Sequence, residues 1–344
     1  MINRLTRVFK DELISKLLKN AGTLLSGNII ASVMGLLTLI ITARTLGPEA
    51  FGILVLIQTY ILVVDGLMNF QSWQAMIKFG TDFNENQEVD LFKAMIKYVL
   101  LIDVLTAIIA TILAITMIKV IGPFINIDEN VYHYVMLFSF VILFHVSGVP
   151  IAILRMFNKF KLLAFQAVLT SLIKLIGVII LFITESELLG FVIVWVITDI
   201  AGHILLQYLG FRELKKRNLS NILDIRINLL KGYIKNIWTF IITTNLNSSI
   251  RMSTRQLDIL IVGSILGNHA VGLYKVAKQF SSVLSRLADP LYKAIYPQLT
   301  KLYTQKKLLD FKNLIIQSSA LVFIPVMILW VVFFCLVILL LNIQ

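Results

Sequence analysis

The chain is 344 residues long, 58% hydrophobic and 15% charged, with a mean hydropathy of +0.88 and a formal net charge of +12. That composition excludes a soluble globular domain and places the chain among polytopic membrane proteins. The lone cysteine, Cys335, excludes an intramolecular disulfide, and the four histidines (His133, His145, His203, His269) are scattered without metal-ligand spacing and make no site of their own.

A crossing takes about 20 mostly apolar residues, and nine are predicted, which makes the fold class an all-α polytopic membrane protein. The first span, 22–46, follows a polar-to-mixed opening. It is too long for the h-region of a signal peptide, and no small-residue cleavage site follows it. It carries a small polar face of Asn28, Ser32 and Gly35, with Arg44 near its end. A tight turn leads into the second span, 49–77, which holds Asp65; the third, 94–118, holds Asp103, and the fourth covers 131–154. The fifth, 163–184, sets Gln166, Thr170 and Lys174 at intervals of four, and the sixth, 188–210, does the same with Asp199, His203 and Gln207. A polar stretch at 211–235 precedes the seventh span, 236–266, where Asn247, Arg251, Arg255 and Asp258 share one helical face beside Ser248. The eighth, 269–296, carries Lys275, Lys278, Gln279, Ser282, Arg286 and Asp289, and its Asp289-Pro290 step removes a backbone bond near the helix end. An interfacial helix at 298–312 and a ninth span at 313–341, containing Cys335, follow.

Cations alternate between the connections. Arg4, Arg7, Lys10, Lys16 and Lys19 precede the first span, Lys78 and Lys93 flank the second connection, and Arg155, Lys159 and Lys161 fill the fourth. The 211–235 and 298–312 stretches are also basic, whereas Glu185–Glu187 and Asn268–His269 contain no Lys or Arg. Cationic loops stay cytoplasmic, which puts the N-terminus inside. The positive charge is therefore topological and suits anionic lipid headgroups, and no nucleic-acid partner is expected.

One phrase occurs twice. Leu46-Gly47-Pro48-Glu49-Ala50-Phe51-Gly52-Ile53 and Leu266-Gly267-Asn268-His269-Ala270-Val271-Gly272-Leu273 both read L-G-x-x-A-(F/V)-G-(I/L), with Leu46 and Leu266 220 residues apart. Spans two to seven lie between the turns, an even number, so the halves keep one orientation as a parallel repeat. The expected organisation is a six-helix bundle at 1–210, a cytoplasmic linker at 211–235 and the first three helices of a second bundle at 236–344. On the same offset Gln344 corresponds to position 124, so the counterpart of residues 125–210 is expected to be missing by truncation.

The run Ala21-Gly22-Thr23-Leu24-Leu25-Ser26-Gly27-Asn28 leading to Ala43-Arg44-Thr45-Leu46-Gly47 resembles the start of bacterial polysaccharide flippases, as does Leu257-Asp258-Ile259-Leu260-Ile261-Val262-Gly263 followed by Gly267 to Tyr274. These are the O-antigen and capsule exporters of the multidrug/oligosaccharidyl-lipid/polysaccharide superfamily, with MATE-like bundles around a central cavity. The resemblance implies a non-enzymatic flippase, moving a polyprenyl-pyrophosphate-linked oligosaccharide from the inner to the outer leaflet of the bacterial cytoplasmic membrane. Its expected partners are that lipid, the surrounding membrane lipids and polysaccharide polymerase machinery. No cofactor or metal is called for, and no phosphate loop, zinc motif or catalytic triad stands in the sequence.

An intramembrane charge costs about 2.5–3.5 kcal/mol on insertion scales, so each one marks a cavity or a buried partner. Guanidinium forks bind pyrophosphate oxygens bidentately. The substrate-binding candidates are Arg251, Arg255, Lys278, Arg286, Lys174 and Arg44; the ion-coupling candidates are Asp65, Asp103, Asp199, His203 and Asp258. Structural alternatives stand beside them. Arg255 can pair with Asp258, Lys174 can neutralise Asp199, and Arg44 can reach the outer headgroups. Competing functions are an ion-coupled drug or organic-cation exporter, a peptidoglycan-precursor flippase and an inactive remnant. Cation exporters should have acidic pores, and the Arg-Asp pair usual in span one of peptidoglycan-precursor flippases is replaced here by Leu36-Leu37-Thr38.

Overall fold

The structure is a computed structural model that describes the backbone of residues 12–219, 221–222, 224–304 and 307–316, together with 319, 323 and 327. Side chains are described from residue 22 onward, excluding 280 and 283–306. Residues Met1–Val276 form one compact unit and Ala277–Gln344 another. The ninth predicted span and Cys335 lie almost wholly outside the described residues.

Every regular element among the described residues is helical. In hydrocarbon each backbone N–H and C=O must find a partner within its own segment, and helices achieve this. We number them α1 (Glu12–Met68), α2 (Ser72–Glu85), α3 (Val89–Ile121), α4 (Tyr132–Phe144), α5 (Gly148–Met156), α6 (Phe160–Ile183), α7 (Leu188–Lys216) and α8 (Ile234–Thr304). Five apolar helical stretches are long enough to cross a membrane, or six when the bent pair α4–α5 is one span. Two of these stretches contain a glycine with non-helical geometry, Gly47 and Gly267. Large apolar side chains such as Leu105, Ile112, Val120 and Ile183 face outward, as expected where the solvent is lipid. The protein is a multi-pass membrane protein.

The repeated phrase has a repeated conformation. Gly47 has φ 71° and ψ 169°, and Gly267 has φ 78° and ψ −178°. Positive φ is cheap only for glycine, which accounts for the first glycine of each copy. The second glycine answers to close approach. A Cβ on Gly52 would overlap the backbone carbonyl of Asn268, and a Cβ on Gly272 would overlap that of Pro48. The two contacts are reciprocal, because 48 and 268, like 52 and 272, differ by the repeat offset of 220. Beside this joint Asn126 Nδ2 donates to Gly263 O at 2.6 Å, tying the α3–α4 connection to α8.

Two predicted spans are interrupted. The second breaks at Asn69–Gln71 between α1 and α2, and the fourth breaks at His145–Ser147, where α4 and α5 meet at 41°. One buried core, including Phe51, Tyr60, Phe138, Phe191 and Trp195, lies toward the glycine joint, and Tyr60 donates to Ala114 O at 2.9 Å. A second core joins Met76, Phe83 and Phe92 to Leu219, Ile222 and Leu230. The polar 211–235 stretch is therefore anchored by buried apolar side chains, and Lys97 Nζ donates to Ile225 O at 2.9 Å beside it.

Candidate functional site

The two helix breaks face each other, and side chains from other helices satisfy the backbone groups they release. Asp103 of α3 is buried where α2 and α5 both begin. One carboxylate oxygen accepts from the Ser72 hydroxyl and the other from Gly148 N–H at 2.8 Å. A carboxylate at two helix N-termini satisfies unpaired donors and complements both dipoles. On the other side of the α4–α5 break, Phe144 O accepts from Gln207 Nε2 at 2.7 Å. Pro150, in the first turn of α5, lacks an N–H and sits where none is needed.

Beside Asp103 lies a second polar group. His145 Nδ1 is 2.6 Å from Asp65 Oδ2 and 3.5 Å from Asn69 Nδ2, and its ring stacks on His203 with centroids 4.6 Å apart and planes 36° apart. Asp65, Asp103 and His203 are thus brought together around His145. His145 and His203, far apart in the sequence, are in contact in the fold. Scatter in sequence says nothing about helices that pack side by side, and α4 and α7 put His145 and His203 in contact.

Asp199 is engaged elsewhere. Lys174 Nζ lies 2.5 Å from Asp199 Oδ1, with the side chains 17% and 26% exposed, and the ammonium also sits 5.0 Å from the Trp195 ring centroid. This is the neutralising pair weighed from the sequence. Asp258 accepts from the Tyr274 hydroxyl at 2.6 Å, so the tyrosine just after the second repeated phrase holds it. Arg44 is exposed near the glycine joint, and Lys278 is half-buried in the second unit. The side chains of Arg286 and Asp289 fall outside the described ones.

Arg251 and Arg255 line an open cavity of about 600 Å³ between the start of α2 and the first arm of α8. Gln71, Trp73 and Gln74 form one wall, and Ser248 and Gln256 stand beside the arginines on the other. Among the described residues no Asp or Glu lines it. Arg251 donates through Nε to Asn247 O at 3.3 Å, and its two terminal nitrogens hold no hydrogen bond or ion pair among the described residues. A second cavity of about 410 Å³ shares Gln74 and Arg251 and adds Thr244, Asn247 and Ile250. The α1–α2 break shapes this wall. Gln71 adopts φ 49°, with its N–H on Asn69 Oδ1 at 3.3 Å, and accepts from Trp73 Nε1 at 2.9 Å. Asn69 therefore touches both His145 and the residue that opens the cavity wall.

A family model described as polysaccharide biosynthesis protein matches residues 17–303. The inner membrane protein YghQ of Escherichia coli is 26% identical over 294 residues, which cover 86% of this chain and 83% of that protein. An uncharacterized membrane protein of Methanocaldococcus jannaschii is 27% identical over 313 residues, covering 88% of this chain and 72% of its own. No solved structure gives a significant match.

Proposed function

The chain belongs to the polysaccharide biosynthesis protein family, and from that premise we propose that it is a flippase for a polyprenyl-pyrophosphate-linked oligosaccharide, carried from the inner to the outer leaflet of the cytoplasmic membrane. The observation that carries this reading is Arg251, whose terminal nitrogens face a cavity with no acidic lining and no protein partner among the described residues. A guanidinium left unpaired at membrane depth is costly, and a pyrophosphate supplies the bidentate oxygens it lacks. Arg255 adds a second positive charge four residues along the same wall. An organic-cation exporter needs the opposite lining, so the absence of Asp and Glu among the described residues of this cavity favours the anionic substrate.

The basic end, with Lys78, Arg155, Lys159 and Arg217, faces the cytoplasm, and the glycine turns face out. The reciprocal contact of Gly52 and Gly272 supports two like-oriented halves, the first at 1–210 and the second from 236 onward. Asp65 with His145 and His203 supplies the proton- or sodium-coupling group, and Asp103 holds the half-helices beside it. The test is Arg251→Gln, assayed by flipping of the host's lipid-linked oligosaccharide in proteoliposomes. Transport should fall at least about tenfold, the loss of one charge-assisted bidentate contact, with protein levels unchanged. Wild-type flipping by this variant overturns the assignment.

A further inference from the structure

The break that ends α1 joins the polar cluster around His145 to α2 through one side chain. Asn69 closes α1 with its N–H on Asp65 O at 2.7 Å, and its amide is held in two directions. Nδ2 lies 3.5 Å from His145 Nδ1, and Oδ1 accepts from Gln71 N–H at 3.3 Å. Asp65, Asn69, Asp103 and His145 line one small space together with Thr106 and Ala107. Gln71 caps α2 in left-handed geometry, which a residue with a Cβ keeps only where its surroundings impose it. Among the described residues the acceptor for its N–H is Asn69. The Gln71 side chain in turn accepts from Trp73 Nε1 at 2.9 Å, and the Trp73 ring stacks on the Arg155 guanidinium at 4.1 Å.

His145 Nδ1 has two neighbours and can serve one. A ring nitrogen carries either a hydrogen or a lone pair. Nδ1 is 2.6 Å from Asp65 Oδ2, a separation that holds a hydrogen between the two atoms; without it two lone pairs would repel. The geometry is therefore that of the proton-bearing pair, in which the Asn69 NH2 finds no free acceptor and stands off at 3.5 Å. Loss of the proton to water leaves Asp65 ionised and the ring neutral, with its hydrogen on Nε2. The Nδ1 lone pair then turns from the carboxylate to the donor already beside it, Asn69 Nδ2. An amide is one rigid plane, so drawing Nδ2 onto the ring swings Oδ1 off Gln71 N–H. Other charges surround the pair. Asp103 of α3 acts on His145 while holding Ser72 and Gly148 N–H, His203 of α7 stacks on the ring, and Lys174 of α6, paired with Asp199 of α7, acts on His203.

We infer that Asn69 is a positioning residue that transmits the protonation of the Asp65–His145 pair to the start of α2. With the proton present it holds Gln71 and Trp73 in place; with the proton gone it turns to His145 and releases them. This role rests on the coupling reading above, with a proton as the ion. Ser72 stays tied to Asp103 in both cases, so it is the pivot and Gln71 is the part that moves. The break also lies between the two buried cores, with Tyr60 and Phe138 in one and Met76 and Phe83 in the other, so a turn at 69–71 reorients the start of α2 without opening either.

The experiment uses the full chain in lipid nanodiscs without substrate and follows tryptophan emission from about pH 5 to about pH 8, where histidine changes charge. The signal is the part of the change that Trp73→Phe removes. In wild type it should move to longer wavelength as pH rises and Trp73 loses its bond to Gln71. Asn69→Ser separates the two ends of the amide. A serine hydroxyl still accepts from the N–H two residues on, but it is too short to reach His145. This variant should melt like wild type while its Trp73 signal falls about fivefold or more, the equilibrium shift of one hydrogen bond. Asn69→Ala loses both bonds and should lose the signal and melt lower. His145→Gln should abolish the signal with Asn69 intact. A wild-type signal in Asn69→Ser overturns the inference alone and leaves the coupling pair standing. A signal that survives His145→Gln overturns the pair's role together with it, and a wild type without any Trp73 signal overturns the inference.

Discussion

The two ends of the first unit are held together by opposite means. At the end marked by Gly47 and Gly267, backbone meets backbone, and the specification is the absence of side chains at Gly52 and Gly272. About 30 Å away along the second arm of α1, at 1.5 Å per helical residue, two broken helices are joined through Asp65, Asp103, His145 and Gln207. One end fails by steric intrusion, the other by loss of a charge or an acceptor. Stability changes at the first should follow added volume, whereas changes at the second should follow hydrogen-bonding capacity at nearly constant volume.

The largest effect is expected at Asp103. Asp103→Ala leaves Gly148 N–H and the Ser72 hydroxyl buried without an acceptor, at about 1–3 kcal/mol for each orphaned group, and removes the anion between two helix N-termini. Little folded protein should be recovered, judged by size-exclusion profile and melting temperature in detergent. Asp103→Asn keeps one acceptor oxygen and should lie between the alanine variant and wild type. An unchanged melting temperature for Asp103→Ala would remove the distinction between the ends.

Next comes the glycine joint. Gly52→Ala and Gly272→Ala each drive a methyl group into a backbone carbonyl, and overpacking of this kind costs about 1–3 kcal/mol. Because the contacts are related by the repeat offset, the two variants should lower the melting temperature by similar amounts. The double variant should lose less than the sum, since the first methyl already opens the joint the second would strain. Additive or very unequal losses would show that the two turns do not act as one contact.

This contrast also explains what was legible in the sequence. The glycine turns could be read because their cause is local: positive φ at Gly47 and Gly267 selects the residue whatever surrounds it. The Lys174–Asp199 pair could be weighed because both charges stood at comparable depth in consecutive spans. The breaks at Asn69–Gln71 and His145–Ser147 were not anticipated, because α3 and α7 supply the groups that stabilise them. Ser147-Gly148-Val149-Pro150 did carry a helix-start signal inside the fourth span. It was overridden by apolar length, and His145 was missed with it. No local signal sets His145 against His203; packing of α4 on α7 does.

The smallest effect separates two terms at a single residue. Asn126 has φ 54°, left-handed geometry that asparagine tolerates better than most residues, and donates its side-chain amide to Gly263 O at 2.6 Å and to Ser264 O at 3.4 Å. Asn126→Gly removes the amide but suits the backbone, so its cost is the hydrogen bond alone, about 1 kcal/mol. Asn126→Ala removes the same bond and adds the left-handed penalty of roughly 1–2 kcal/mol. The glycine variant should therefore melt measurably above the alanine variant, with both below wild type. If the two melt together, backbone geometry is not what limits this position, and the side-chain bond is what ties the α3–α4 connection to α8. If glycine matches wild type, that bond contributes nothing, and this end of the molecule is specified by shape alone.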